Sequence, residues 1–327
     1  MNIILADSWH GIIYHRLVIP FARIAQQKLA DIYIIEDVMD LFHMDLTKVD
    51  RLIFSRHLNL QAKGYEAIGD LLKEHDVKVI LDIDDYWVLP ADNKARAAYE
   101  SYGDPDQGLR KAIINAIKLA DHIWTPNKMI WQQAKKINPK VTYTVIPNAI
   151  DPAEGTWSKI KNFNSEKEVR FGYTGAKNHT KDLELMGVDW SDHYTYTTSL
   201  DDYDKFLQAD ESTGPLPLHE YGSLYQNFNV SLAPLRSRRF DKCKSNLKAI
   251  EAGFTGCALI ASNTTPYKEI IINGENGILC SNYQEWQEAV NSLTPKDVKR
   301  LSENLYETVH KEYHIDNVIK LRANELQ

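Results

Sequence analysis

The chain has 327 residues, enough for two domains at about 100–200 residues each. Hydrophobic residues make up 43% and charged residues 25%, a balance that supports buried cores, while a formal net charge of −7 argues against nonspecific binding to nucleic acid. No apolar run approaches the ~20 residues of a membrane-spanning helix.

The opening MNIILADSWHG lacks the basic start and cleavage pattern of a signal peptide, and NIILA reads instead as a first buried strand. Cys243, Cys257 and Cys280 are odd in number and lack metal-ligand spacing, so they are expected to be reduced, in a cytoplasmic protein. In chain order, β-branched apolar runs at 2–6, 31–35, 51–55, 77–83, 122–126 and 142–147 predict strands. Helical stretches at 14–29, 60–75, 106–119 and 128–136 lie between them, and Pro20 should kink or shorten the first. After a polar stretch at 151–168 the alternation restarts. Strands are predicted at 168–175, 193–199, 228–235, 257–262 and 277–281, with helices near 180–187, 218–226, 245–254, 266–272, 283–292, 296–311 and 315–326. Such β–α alternation implies parallel sheets covered on both faces. The expectation is an α/β chain of two doubly wound units: 1–150, 151–312, and a terminal helix in 313–327 that returns to the first domain. Doubly wound sheets bind ligands beyond the carboxyl ends of their strands, so a central cleft between the two is the expected site.

The most informative stretch is FDKCKSNLKAIEAGFTGCALI, 240–260. A helix there would place Lys244, Lys248 and Glu251 on one face by their i, i+4, i+7 spacing, with Leu247, Ile250 and Phe254 packing the adjoining face, and it should break at Gly253 and Gly256. Two ammonium groups beside the unpaired N–H groups of a helix start form a receptor for an anion, phosphate above all. Glu251, farther along, could accept hydrogen bonds from the hydroxyls of an attached ribose. The plainer reading is a solvated face of ordinary charge pairs. Arg236, Arg238, Arg239, Lys242, Lys244 and Lys248 crowd thirteen positions opposed locally only by Asp241, a positive island on an acidic chain.

Three further motifs carry candidates. In VRFGYTGAKNHTKDL, Gly172 and Gly175 permit close backbone approach, and Lys177, His179 and Lys181 crowd a helix start; this is neither a G-x-G-x-x-G nor a Walker loop. In VKVILDIDDYW, Asp82, Asp84 and Asp85 end a strand, where they could cap a turn, hold a divalent cation or face the hydroxyls of a sugar, the last being preferred. Gly11 lies in the turn after the first strand, with His10 and His15 beside it.

Taken in order, the pieces resemble the retaining glycosyltransferases of the GT-B fold, in the group of glycosyltransferase family 4, which use nucleotide-activated sugars. They are Gly11, VIPNAID (145–151), FGYTGAKNHTKDL (171–183), YGSLYQNFNVSLAPL (221–235), FDKCKSNLKAIEAG (240–253), ALIASNTTPYKEII (258–271) and GENGILC (274–280). The resemblance implies that Glu251 holds the donor ribose, as the second glutamate of an E-x7-E motif. Lys244 and Lys248 would hold the diphosphate with helix-start N–H groups from Ser245 and Asn246. Gly175 and Lys181 would occupy the phosphate loop, His179 and Asp182 an H-x-x-D variant, and Tyr221 to Leu224 the neighbourhood of the base. The resemblance further implies transfer with retention, no required cofactor or metal, and a UDP-sugar donor before a GDP-sugar. The acceptor would be a glycan, a lipid-linked or a small molecule, with DNA an alternative. One departure stands out: the first glutamate of the motif falls at Cys243. A nucleotide-sugar-binding module without catalysis and a dinucleotide-dependent oxidoreductase are the rival readings, the latter opposed by the missing glycine fingerprint.

Overall fold

The computed structural model describes residues 1–7, 13–101, 108–175, 179–198 and 203–327. The chain divides into two compact units: Met1–Ala149 with Cys243–Ser245 and Ile315–Gln327, and Ile150–Lys242 with Asn246–His314.

The first unit holds a six-stranded parallel sheet of β1 (Asn2–Leu5), β2 (Ile32–Ile35), β3 (Arg51–Ser55), β4 (Lys78–Asp82), β5 (His122–Thr125) and β6 (Thr142–Val145) in the order β2-β1-β3-β4-β5-β6. Alternate residues enter opposite cores: Ile3, Leu5, Leu52 and Phe54 join one apolar cluster, and Ile4 and Ile53 the other. That period of two with both faces apolar is what a parallel sheet under helices requires. Helix Ile315–Glu325 packs Val318 and Ile319 into the second cluster with Phe21 and Ile24 of helix Ile19–Gln26. Pro20 acts as expected. It sits in the first turn of Ile19–Gln26, and the preceding Tyr14–Val18 is π-helical, closing on an Ile19 N–H to Tyr14 carbonyl bond.

The second unit repeats the plan with β7 (Arg170–Tyr173), β8 (Tyr194–Thr198), β9 (Glu211–Thr213), β10 (Val230–Ala233), β11 (Ala258–Ser262) and β12 (Ile278–Cys280), all parallel, in the order β12-β11-β10-β7-β8-β9. Leu259 and Ala261 face one core, Ala258 and Ile260 the other. The strand order reverses between β7 and β10, so the crevice beyond their carboxyl ends is where a ligand belongs. Eleven of the twelve strands fall where sequence periodicity puts them; β9 was missed because Glu-Ser-Thr carries no apolar residue.

Helix Leu247–Phe254 differs from expectation at both ends. It starts at Leu247, not 245, because Ser245 and Asn246 favour cap positions over a helix interior. It runs through Gly253 rather than breaking there. A Cβ on Gly253 would lie 2.6 Å from a methyl of Val309 in helix Pro295–Tyr313, so this glycine serves close helix packing. The break comes at Gly256, whose φ of +68° only glycine adopts freely.

Candidate functional site

The site in the second unit is built from three elements at the β7/β10 crevice. Thr174 follows β7; Tyr221 and Tyr225 lie on the 3₁₀-helical stretch Leu218–Asn227 leading into β10; Lys248 and Glu251 lie in the first turns of helix Leu247–Phe254. The Lys248 ammonium donates to Glu251 Oε2 at 2.7 Å, the Tyr221 hydroxyl at 3.0 Å, Thr174 Oγ1 at 3.1 Å and the Tyr225 hydroxyl at 3.4 Å. Tyr225, fully buried, donates to the same Glu251 Oε2 at 2.7 Å and accepts from Thr174 Oγ1 at 2.9 Å. Glu251 Oε1 takes no hydrogen bond from the described residues, and neither do the backbone N–H groups of Leu247 and Lys248 form one. Burial works against the charge of Lys248, but the Glu251 carboxylate and then the two tyrosine oxygens outweigh it and hold the ammonium well above its ordinary range. Burial, then the Glu251 charge, raises the Tyr225 hydroxyl well above 10, so it stays a donor. The result is a fixed cation with an adjoining carboxylate oxygen and two helix-start N–H groups, the chemistry of a phosphate and hydroxyl receptor.

The glycines around β7 make room for this. A Cβ on Gly172 would stand 2.1 Å from the Phe228 ring, and one on Gly175 would stand 2.5 Å from the Tyr173 hydroxyl. Beyond Gly175, His179 Nδ1 lies 2.8 Å from Asp182 Oδ2, while Arg236 after β10 donates to Asp182 Oδ1 at 2.9 Å. Burial pushes the Asp182 carboxyl up, but His179 and Arg236 reverse this and leave it below the usual carboxylate range. Asp182 therefore ties the β7 loop to the end of β10. Lys181 points elsewhere: its ammonium bonds Glu184 and its side chain is 56% exposed.

The first unit has its own cluster beyond β3 and β4. Here the expectation for Lys244 is corrected. It precedes the helix and groups with the first unit, its ammonium on both oxygens of Asp85 at 2.9 and 3.1 Å, so only Lys248 and Glu251 share the helix. Asp82 neither caps a turn nor holds a cation. It is fully buried between Arg16, at 2.5 and 3.0 Å, and Arg322, at 3.2 Å, a structural clamp that fixes the terminal helix. Asp84 is 3% exposed, has an unpartnered Oδ1 and is pushed up to about 6 by burial and the Asp85 charge. Among the described residues there is no group of His, Cys, Asp and Glu able to hold a metal ion.

Other expected positions divide as follows. Asn246 is the cap residue of its helix, but its side chain donates to the Tyr313 hydroxyl at 3.0 Å rather than to the helix start; Ser245 groups with the first unit. Cys243 is fully buried in the first unit's apolar cluster and all three thiols are free. Gly11, His10 and Lys177 lie outside the described residues. The positive island is largely neutralised by carboxylates: Arg236 by Asp182, Arg238 by Asp241, Lys244 by Asp85 and Lys248 by Glu251. Sequence reasoning missed Thr174 and Tyr225; the i, i+4 spacing of Tyr221 and Tyr225 was a usable signal.

Residues 199–295 match the family model described as glycosyl transferases group 1. Among solved structures, the chain is similar to HepE of Anabaena in complex with UDP, at 8% identity and a TM-score of 0.63 over 99% of this chain and 98% of that one. It is also similar to sucrose-phosphate synthase of Thermosynechococcus elongatus (15% identity, TM-score 0.58, 84% and 72% covered). A glycosyltransferase from Rickettsia africae is a third such structure (12%, 0.57, 99% and 89%). No curated protein sequence matches the chain. No described helix is long and apolar enough to cross a membrane. The chain has the GT-B fold, and over 199–295 it carries the sequence pattern of the group 1 glycosyl transferases.

Proposed function

We propose that the protein is a glycosyltransferase that moves a sugar from a nucleotide-sugar donor to an acceptor hydroxyl, with retention of anomeric configuration. The observation that carries this reading is the Lys248–Glu251 pair at a helix start beyond the β7/β10 switch point. Lys248 and the N–H groups of Leu247 and Lys248 would hold the donor diphosphate. Glu251 Oε1 would accept from the ribose hydroxyls, and Tyr221 would stand near the base. HepE has been solved with UDP and with UDP-glucose, which favours a UDP-sugar over a GDP-sugar.

In the reaction the bond from the anomeric carbon to the diphosphate oxygen breaks and a bond to the acceptor oxygen forms on the same face. The acceptor proton passes to the departing diphosphate, so the protein needs no nucleophile of its own. Its task is to stabilise the charge growing on that diphosphate. The Lys248 ammonium, turned from its present partners toward the diphosphate, and the helix N–H groups would supply that charge, so this reading calls on no metal ion. The acceptor class is a glycan, a lipid-linked or a small-molecule hydroxyl. DNA as acceptor loses its motivation because the basic island carries its own carboxylates. One observation favours a second reading, a nucleotide-sugar-binding module without turnover: the motif's first glutamate is replaced by the buried Cys243. UDP release from UDP-glucose by the purified chain separates them. Release above the rate in buffer supports the enzyme, and binding of UDP-glucose with no release supports the module.

A further inference from the structure

The first sheet ends on β2, and among the described residues no strand pairs with its outer side. The ladder to β1 runs through alternate residues: the Asn2 N–H donates to the Asp31 carbonyl at 2.9 Å and the Ala6 N–H to the Ile35 carbonyl at 2.9 Å. Backbone direction alternates along a strand, so Ile32 and Ile34 turn their N–H and C=O groups to the open side. Edge strands are usually kept from pairing by being very short, by charged side chains, by proline or by a bulge. β9, at one edge of the second sheet, is of that kind, only Glu-Ser-Thr. β2 is not. Its Ile-Tyr-Ile-Ile has no charge and no proline, its register with β1 is unbroken, and Tyr33 and Ile34, which point to opposite faces of the sheet, are both exposed. Leu29 before the strand and Met39 and Phe42 in the 3₁₀ turns Val38–His43 after it are exposed as well. Five of the eleven large apolar side chains exposed among the described residues thus fall within positions 29–42, a concentration that marks an interaction surface.

We propose that the β2 edge takes an extended segment of a partner protein, which adds to the sheet as a further strand, and that this segment is apolar and basic. The backbone groups of Ile32 and Ile34 supply the pairing, and the side chains of the added strand cover Tyr33 on one face and Ile34 on the other. The charge of the surface selects the sign of the partner. Asp31, Glu36, Asp37 and Asp40 are all exposed, four carboxylates against Lys28 alone over positions 28–42. The same charges oppose a second copy of this chain as the occupant. Antiparallel pairing of two β2 edges would lay the Asp31 end of one on the Glu36–Asp37 end of the other, and like charges set opposite each other destabilise a strand pair. An anionic membrane surface is opposed on the same ground. The proposal does not depend on the glycosyl-transfer reading.

The test uses the full chain and two probes, an octapeptide of alternating valine and lysine and its counterpart of alternating valine and glutamate. Calorimetry reads affinity, and amide exchange followed by NMR locates the site. The lysine peptide should bind, slow exchange at Ile32 and Ile34, and bind more weakly as salt is added, while the glutamate peptide should not bind. Ile34→Pro removes one outward N–H and leaves the ladder to β1, which runs through residues 31, 33 and 35. The variant should therefore fold and bind the lysine peptide about tenfold more weakly. Asp31→Asn combined with Glu36→Gln leaves the backbone untouched and decides the matter if Ile34→Pro fails to fold: affinity should again fall about tenfold, and most of the salt dependence should go with it. No binding of the lysine peptide, equal binding of the glutamate peptide, slowed exchange away from β2, or a concentration-dependent dimer that Ile34→Pro abolishes would each overturn the proposal.

Discussion

Replacing Lys248 by methionine separates what the Lys248–Glu251 pair does for the fold from what it does for the reaction. The substitution keeps the side-chain length and removes the ammonium. Glu251, 5% exposed, then keeps only the Tyr225 hydroxyl as a partner for Oε2. Breaking a buried ion pair costs ~3–5 kcal/mol, and because a quarter of the Lys248 side chain is exposed, the loss should fall at the lower end, about 3 kcal/mol. Adding Glu251→Gln removes the stranded carboxylate and should return the double variant to within about 1 kcal/mol of the native chain. Activity should not return with it. If Lys248 stabilises the departing diphosphate, kcat/KM for UDP-glucose falls by about 10²–10³ in both variants, the loss seen for one oxyanion-type donor. Chemical denaturation gives the stabilities and UDP release gives the rates. Turnover that recovers along with stability in the double variant would show that Lys248 is a folding residue and refute its phosphate role.

Four further outcomes follow from the same geometry. Asp84 has a folded-state value near 6, above the ~3.9 of an unfolded chain, so its effect is absent below about pH 4, grows as the unfolded state loses its proton first, and is complete above pH 6. Stability should therefore fall with rising pH across that window on this group's account, and Asp84→Asn should flatten the profile and raise the Tm at pH 7. Arg322→Leu leaves Asp82 with Arg16 alone and should cost about 3–5 kcal/mol by denaturation, with helix Ile315–Glu325 losing hydrogen-exchange protection first. Glu251→Gln should weaken UDP binding by about tenfold while leaving glucose binding alone unaffected, as read by calorimetry. Gly172→Ala drives a methyl into the Phe228 ring and should cost about 1–3 kcal/mol, with UDP affinity falling as β7 shifts.

Much of the architecture was legible because burial on both faces writes itself into a strand as an unbroken apolar run: RLIFS and ALIAS were bounded to the residue or within one. That Lys248 and Glu251 share one helix was legible from their spacing. What escaped depends on partners remote in sequence. Lys244 left the helix for Asp85, 159 residues away, and no local periodicity encodes that. Asp82 looked like part of an acidic site, yet Arg16 and Arg322 claim it from 66 and 240 residues away. Arg322 had left a trace: it is a charged residue on the apolar stripe formed by Val318, Ile319 and Ala323, which is where a buried arginine with a partner belongs. The basic island misled in part for the same reason: Asp182 and Asp85 reach Arg236 and Lys244 from 54 and 159 residues away, while Asp241 and Glu251 are local partners of Arg238 and Lys248.

The most direct test of the central claim is a crystal structure of the protein soaked with UDP-glucose. Diphosphate density against the Lys248 ammonium and the N–H groups of Leu247 and Lys248, with the ribose hydroxyls on Glu251, is the expected result. A nucleotide bound away from the β7/β10 crevice, with Lys248 still closed on Glu251, Tyr221 and Thr174 and touching no phosphate, would contradict it.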